Sequence, residues 1–68
     1  MDAFERRERI VELIGTGVSE PAQILAKLRE ELADADEQQF QNDLVALQFA
    51  GRIFWNAYRG YQVRGIAT

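Results

Sequence analysis

The chain has 68 residues, of which 47% are apolar, and nine of the apolar ones are alanine. That leaves large side chains for two packed layers and little more, so one small domain over residues 1–68 is expected. Cysteine and histidine are both absent, which excludes disulfides, thiolate nucleophiles, Cys-type zinc sites and imidazole-based acid–base chemistry. The hydroxyls of Thr16, Ser19, Tyr58, Tyr61 and Thr68 have no imidazole to activate them, so the chain is not expected to be an enzyme. It is expected to need no cofactor and no metal. The formal net charge of −3 conceals an asymmetry. Residues 1–50 carry eleven acids and five bases, whereas residues 51–68 carry Arg52, Arg59 and Arg64 and no acid. A polyanion would therefore meet the C-terminal end first.

The N-terminal stretch Met1-Asp2-Ala3-Phe4-Glu5-Arg6-Arg7-Glu8-Arg9 is charged in both signs and lacks the apolar centre of a signal peptide. No apolar run reaches the length of a membrane span. A cytoplasmic protein with no membrane partner is expected. The initial Met1 and the short tail Gly65-Ile66-Ala67-Thr68 suit a complete small protein.

In chain order, a first helix is expected over about 3–14. Asp2 and Glu5 form its capping pair and Gly15 its left-handed stop. Phe4, Ile10, Val11 and Ile14 share a face at the helical period. Arg7 falls inside that face and is expected to snorkel outward. Glu5–Arg9 and Asp2–Arg6 read as pairs on the helix surface. After Thr16-Gly17-Val18, where Val18 could add a single residue pair to a small sheet, Ser19 reads as the cap of a second helix over about 20–32. Pro21 is tolerated in its first turn, and Ile24, Leu25, Leu28 and Leu32 form its apolar stripe. The acidic turn Ala33-Asp34-Ala35-Asp36 offers two caps, Asp34 with Glu37 or Asp36 with Gln39, for a third helix over about 37–50. Phe40, Leu44 and Leu47 form the core stripe of this helix, and Gly51 ends it. The acids do not make a calcium loop. Counted from Asp34, the sixth position is Gln39 rather than glycine and the twelfth is Val45 rather than glutamate.

Beyond Gly51 the period falls from 3.6 to 2. Strands are expected over about 52–56 and 61–64, joined by Asn56-Ala57-Tyr58-Arg59-Gly60. Ile53, Trp55, Tyr61 and Val63 are expected to face the helices, and Phe54 and Tyr58 to project away.

With Leu44-x-x-Leu47-x-x-x-Gly51-x-Ile53 followed by Gly60-Tyr61-x-Val63, the chain resembles a winged helix-turn-helix domain. The likeness covers nearly the whole chain in element order. It implies an α+β, mainly α fold of three helices with a C-terminal two-stranded β-hairpin wing. It also implies duplex DNA as a partner and a role as a transcriptional regulator. The third helix would enter the major groove and the wing would contact the flanking backbone.

Two surfaces are candidates. On the outward side of the third helix, Gln38, Gln41, Asn42 and Val45 are suited to adenine edges and thymine methyls. Arg52, Arg59 and Arg64, with Tyr58 beside the tip, are suited to phosphate contact. Against this, the helix has no Lys or Arg, and Asp36, Glu37 and Asp43 would repel phosphates. The alternative is a protein–protein interaction module, acting as a homodimer or as an adaptor for a protein partner. Its patch would comprise Val45, Phe49, Phe54 and Tyr58. Phe49 bears on the choice. Phenylalanine is mostly buried, so it is expected to tuck against the first helix or the strand base. Exposed, it would favour the interaction module or a dimer over a lone DNA reader.

Overall fold

A computed structural model describes residues 2–64. Met1 and the tail 65–68, on which the reading of a complete protein rests, lie outside the described residues. The elements are α1 (Ala3–Gly15), α2 (Pro21–Glu31), α3 (Glu37–Phe49), β1 (Ile53–Asn56) and β2 (Gly60–Val63). The two strands pair antiparallel, with Ile53 opposite Val63 and Trp55 opposite Tyr61. This is the three-helix winged helix-turn-helix layout with a C-terminal hairpin, and each element begins and ends within one residue of its expected bounds.

Local chemistry accounts for most of the boundaries. Asp2 accepts a hydrogen bond from the Glu5 amide at 2.8 Å and starts α1. At its other end the stop is Gly17 (φ 107°), not Gly15, which is still helical. Gly17 N–H donates to the Ile14 carbonyl and Val18 N–H to the Leu13 carbonyl, the paired closure that a left-handed residue allows. The same closure ends α3, where Gly51 N–H donates to Gln48 and Arg52 N–H to Leu47. That turn sends the chain directly into β1. Of the two candidate caps for α3, Asp36 is the one used, accepting from the Gln39 amide at 2.9 Å. Ser19 does not cap α2. Glu20 occupies that position without a side-chain bond, because Pro21 at the helix start leaves one fewer amide to satisfy.

The core is one cluster: Ile10, Leu13 and Ile14 from α1, Ile24, Leu25 and Leu28 from α2, Ala35, and Phe40, Leu44 and Leu47 from α3, closed by Ile53. Val11, Val18, Leu32 and Tyr61 pack partly buried at its edge. The expected face of α1 was rotated. Its buried line runs Arg6, Ile10, Leu13 and Ile14, and Phe4 lies outside it at 71% exposure. The hairpin also differs from the alternation pattern. Ile53 is buried and Tyr61 half-buried, but Trp55 and Val63 remain exposed. Two short strands carry their inward side chains past the end of the helical layer. Trp55 makes an edge-to-face contact with Tyr61, with ring centroids 5.0 Å apart at 68°.

Asp43 is the largest departure from expectation. It does not face solvent. It is 1% exposed and sits between Phe40 and Leu44 on the inner side of α3. Arg6 on α1, itself buried, grips it through both carboxylate oxygens: Nε donates to Oδ2, and Nη2 to Oδ1 at 3.0 Å. Arg7 does not snorkel to water but adds a third bond, Nε to Oδ1 at 3.0 Å. Arg6 therefore pairs with Asp43, not Asp2. Arg9 likewise pairs with Glu31 and Glu12, not Glu5. Burial pushes the Asp43 pKa up, and the hydrogen bonds from Arg6 and Arg7 more than reverse that, holding it below the ordinary aspartate value. With the folded pKa below the unfolded one, the contribution is complete at neutral pH. It is lost only as pH falls below about 4.

Removing one side of a buried, fully bonded pair leaves an uncompensated charge. Asp43→Ala is therefore expected to destabilise the fold by about 3–5 kcal/mol in urea unfolding at neutral pH. A double replacement, Arg6→Leu with Asp43→Leu, should recover most of that loss. A single variant within about 0.5 kcal/mol of the parent would contradict the cluster's structural role.

Candidate nucleic-acid interface

The outer side of α3 is bare. Gln38, Asn42 and Val45 are exposed on the side opposite Phe40, Leu44 and Leu47, and Gln41 is exposed on the flank that faces α2. A short core stripe produces this. With about 100° between residues, burying positions 40, 43, 44 and 47 turns 38, 42, 45 and 49 outward in one line. Gln38 Nε2 donates to Asn42 Oδ1 at 3.3 Å. This single long bond, at the surface, leaves amide donors and acceptors of both side chains free for other partners. The face is neutral over its middle. Of the three acids expected to repel phosphate from α3, Asp43 is internal and neutralised. Asp36 and Glu37 stay exposed at the helix start, where Asp36 is engaged as the cap.

Two side-chain and backbone bonds tie the wing to the helices, and a third closes it. Tyr61 N–H donates to the Ser19 carbonyl at 2.9 Å, tying β2 to the α1–α2 connection. This is the contact expected of Val18, displaced by one residue; it makes no third strand, since the sheet has two. Gln48 Nε2 donates to the Tyr61 hydroxyl at 3.3 Å, tying the wing to α3. Arg64 N–H donates to the Arg52 carbonyl at 3.0 Å and closes the hairpin base. At the tip, Asn56 Oδ1 accepts from the Tyr58 and Arg59 amides at 2.8 and 3.0 Å. That Asx turn satisfies the bend locally and sends both side chains outward. Tyr58 is 98% exposed.

The three C-terminal arginines are not equivalent. Arg52 is held by Glu8 on α1 through two bonds, 2.7 and 3.2 Å. The Arg52 fork in turn holds the Glu8 carboxyl below its ordinary pKa. Its charge is thus matched within the fold, and the expectation that it anchors a nucleic-acid backbone loses its basis. Arg59 and Arg64 are exposed, and among the described residues neither has a carboxylate partner. They are the cations the wing can offer.

Phe49 is not tucked against α1 or the strand base. It is 90% exposed in the outward line of α3. Val45, Phe54 and Tyr58 are exposed as well, though on three different elements: α3, β1 and the hairpin tip. Sequence reasoning missed Arg6, Asp43, Ser19 and Gln48 as the residues that set this geometry. Asp43 adjoins the Phe40, Leu44 and Leu47 stripe, but Arg6 lies beside the face expected of α1, on which Arg7 falls, so a wheel of either helix alone places both charges outside. For Ser19 and Gln48 no local pattern marks the role.

Among the described residues no cluster of acids could hold a metal ion, and no helix is long and apolar enough to cross a membrane. Comparison with family models, curated proteins and solved structures found no match to this chain.

Gly60 fixes where the wing sits. Its φ is +79°, and a Cβ there would lie 2.6 Å from the Ser19 carbonyl oxygen, backbone against backbone. Gly60→Ala is therefore expected to cost more than about 1 kcal/mol and to break the Tyr61–Ser19 bond. Near-ultraviolet circular dichroism should lose the Trp55–Tyr61 signal while far-ultraviolet helix content stays. An unchanged aromatic spectrum would contradict this anchoring of the wing.

Proposed function

We propose that this chain is a small winged helix-turn-helix protein that binds duplex DNA as a transcriptional regulator in the cytoplasm. The N-terminal half of α3 would read base edges and the wing would hold the backbone. One observation carries the reading: Gln38, Gln41, Asn42 and Val45 are exposed together on α3, while the acid among them, Asp43, is turned inward and neutralised. Glutamine and asparagine can bond adenine through two atoms at once, and a valine methyl suits the thymine methyl. Arg59 and Arg64 supply the phosphate contacts, with Tyr58 beside the first. The absence of histidine, cysteine and any activated nucleophile supports a binding role over catalysis.

The charge sets the scale of the interaction. Two unmatched arginines neutralise about two phosphates, so binding by one copy is weak and steeply salt-dependent. A second reading is favoured by a different observation, the 90% exposure of Phe49. It makes the chain a winged-helix protein–protein interaction module, a homodimer or an adaptor, with little or no DNA binding.

Fluorescence anisotropy with labelled duplexes over a salt series separates the readings. On the DNA reading the logarithm of affinity falls against the logarithm of salt with a slope of about −2. Arg59→Ala should reduce that slope by about 1 and weaken all sequences alike. Gln41→Ala should instead cost about 1–3 kcal/mol at one or two base positions only. Absence of binding at low salt with micromolar protein would overturn the DNA reading and leave the interaction module.

A further inference from the structure

A groove of about 420 Å³ runs between the start of α1 and the C-terminal half of α3. On the α3 side it is lined by Ala46, Leu47 and Ala50, which make an apolar slot. Phe4 lines one side at 71% exposure, on the part of α1 that turns away from the core. Phe49 follows on the other side: it is three residues from Ala46 and adjacent to Ala50, so it borders the slot on the helix surface. Neither phenylalanine contributes to the core of its own chain.

We infer that this surface is a homodimer interface, in which Phe4 of each copy enters the slot of the other across a two-fold axis. A two-fold interface requires one patch to be complementary to itself. This one carries the projection and the recess side by side. Its charge also suits a second copy. The rim holds Glu8, Arg52 and Arg7, with Glu8 and Arg52 already bonded to each other and Arg7 bonded to Asp43. The face is locally neutral although the chain carries −3, so two copies meet here without repulsion. A strongly charged partner finds nothing to pair with.

Area points the same way. A phenylalanine buries about 150–250 Å² when covered. At 71% and 90% exposure, Phe4 and Phe49 together present about 300 Å². A stable interface takes about 800 Å² from each partner. Two side chains thus supply well over a third of the requirement before the slot itself is counted. Gln38 lies eleven residues from Phe49 along α3, about 16 Å at the helical rise. Pairing through the C-terminal half leaves the amide-rich half free and doubles the unmatched arginines. The inference stands whether or not DNA is bound.

Sedimentation of the full chain without DNA, over a concentration series up to about 1 mM, tests it directly. The parent should pass from monomer to dimer. Phe4→Glu should weaken association by at least about tenfold, with the helical circular dichroism and melting temperature retained because Phe4 is exposed. Gln23→Glu, on the exposed side of α2, should leave association unchanged. A parent that is monomeric throughout overturns the inference. So does a dimer that survives Phe4→Glu, or one that Gln23→Glu weakens as much.

Discussion

The carboxylate of Asp43, held inside the protein by two arginines, sets the orientation of α3 on which the rest depends. Apolar packing of Phe40, Leu44 and Leu47 is non-directional. The fork of Arg6 is directional, because both of its bonds need the carboxylate in one plane. Fixing position 43 inward fixes 38, 42 and 45 outward. A buried pair of this kind contributes little net stability compared with apolar packing. Its consequence here is positional. The outward face of α3 is left amide-rich, with the carboxylate of Asp43 on the opposite side.

The wing obeys the same logic with weaker bonds. A two-stranded hairpin is marginal in isolation, and here only Ile53 is fully inside the core. Its direction comes from backbone contacts at Ser19 and Arg52 and from the reach of Tyr61 to Gln48. The Asx turn at Asn56 then determines that Tyr58 and Arg59 point into solvent. The third helix and the wing tip are thereby held by one small body. The same compactness leaves large apolar side chains uncovered at Phe4, Val45 and Phe49, since sixty-odd residues cannot bury all of them.

Much of this architecture could be read from residue order. The stripe Phe40, Leu44, Leu47 with Gly51 behind it, and the change to alternation at Ile53, specify a helix running into a strand. Asp2 and Asp36 are caps that local chemistry makes recognisable. What escaped was long-range. Asp43 and Arg6 are 37 residues apart, and a helical wheel drawn for one helix at a time treats each as a charge that belongs outside. Once the pair is seen, the rotated face of α1 follows, with Leu13 inward and Phe4 outward. Both Gly15 and Gly17 could end α1, and the positive φ that closes it falls at Gly17. Among the interface residues, Gln38 and Asn42 of α3 were legible because they lie opposite the stripe. The loss of Arg52 to Glu8 was not, because that bond joins the chain's ends.

Amide-resolved NMR of the isotopically labelled protein, titrated with duplex DNA at low salt, separates a DNA-binding α3 from an inert one. Shifts are expected to concentrate in the side-chain amides of Gln38, Gln41 and Asn42 and in the backbone of Tyr58 and Arg59. Leu13, Ile24 and the solvent side of α2 should stay silent. Shifts confined to α2, or a spectrum indifferent to DNA, would contradict the DNA reading.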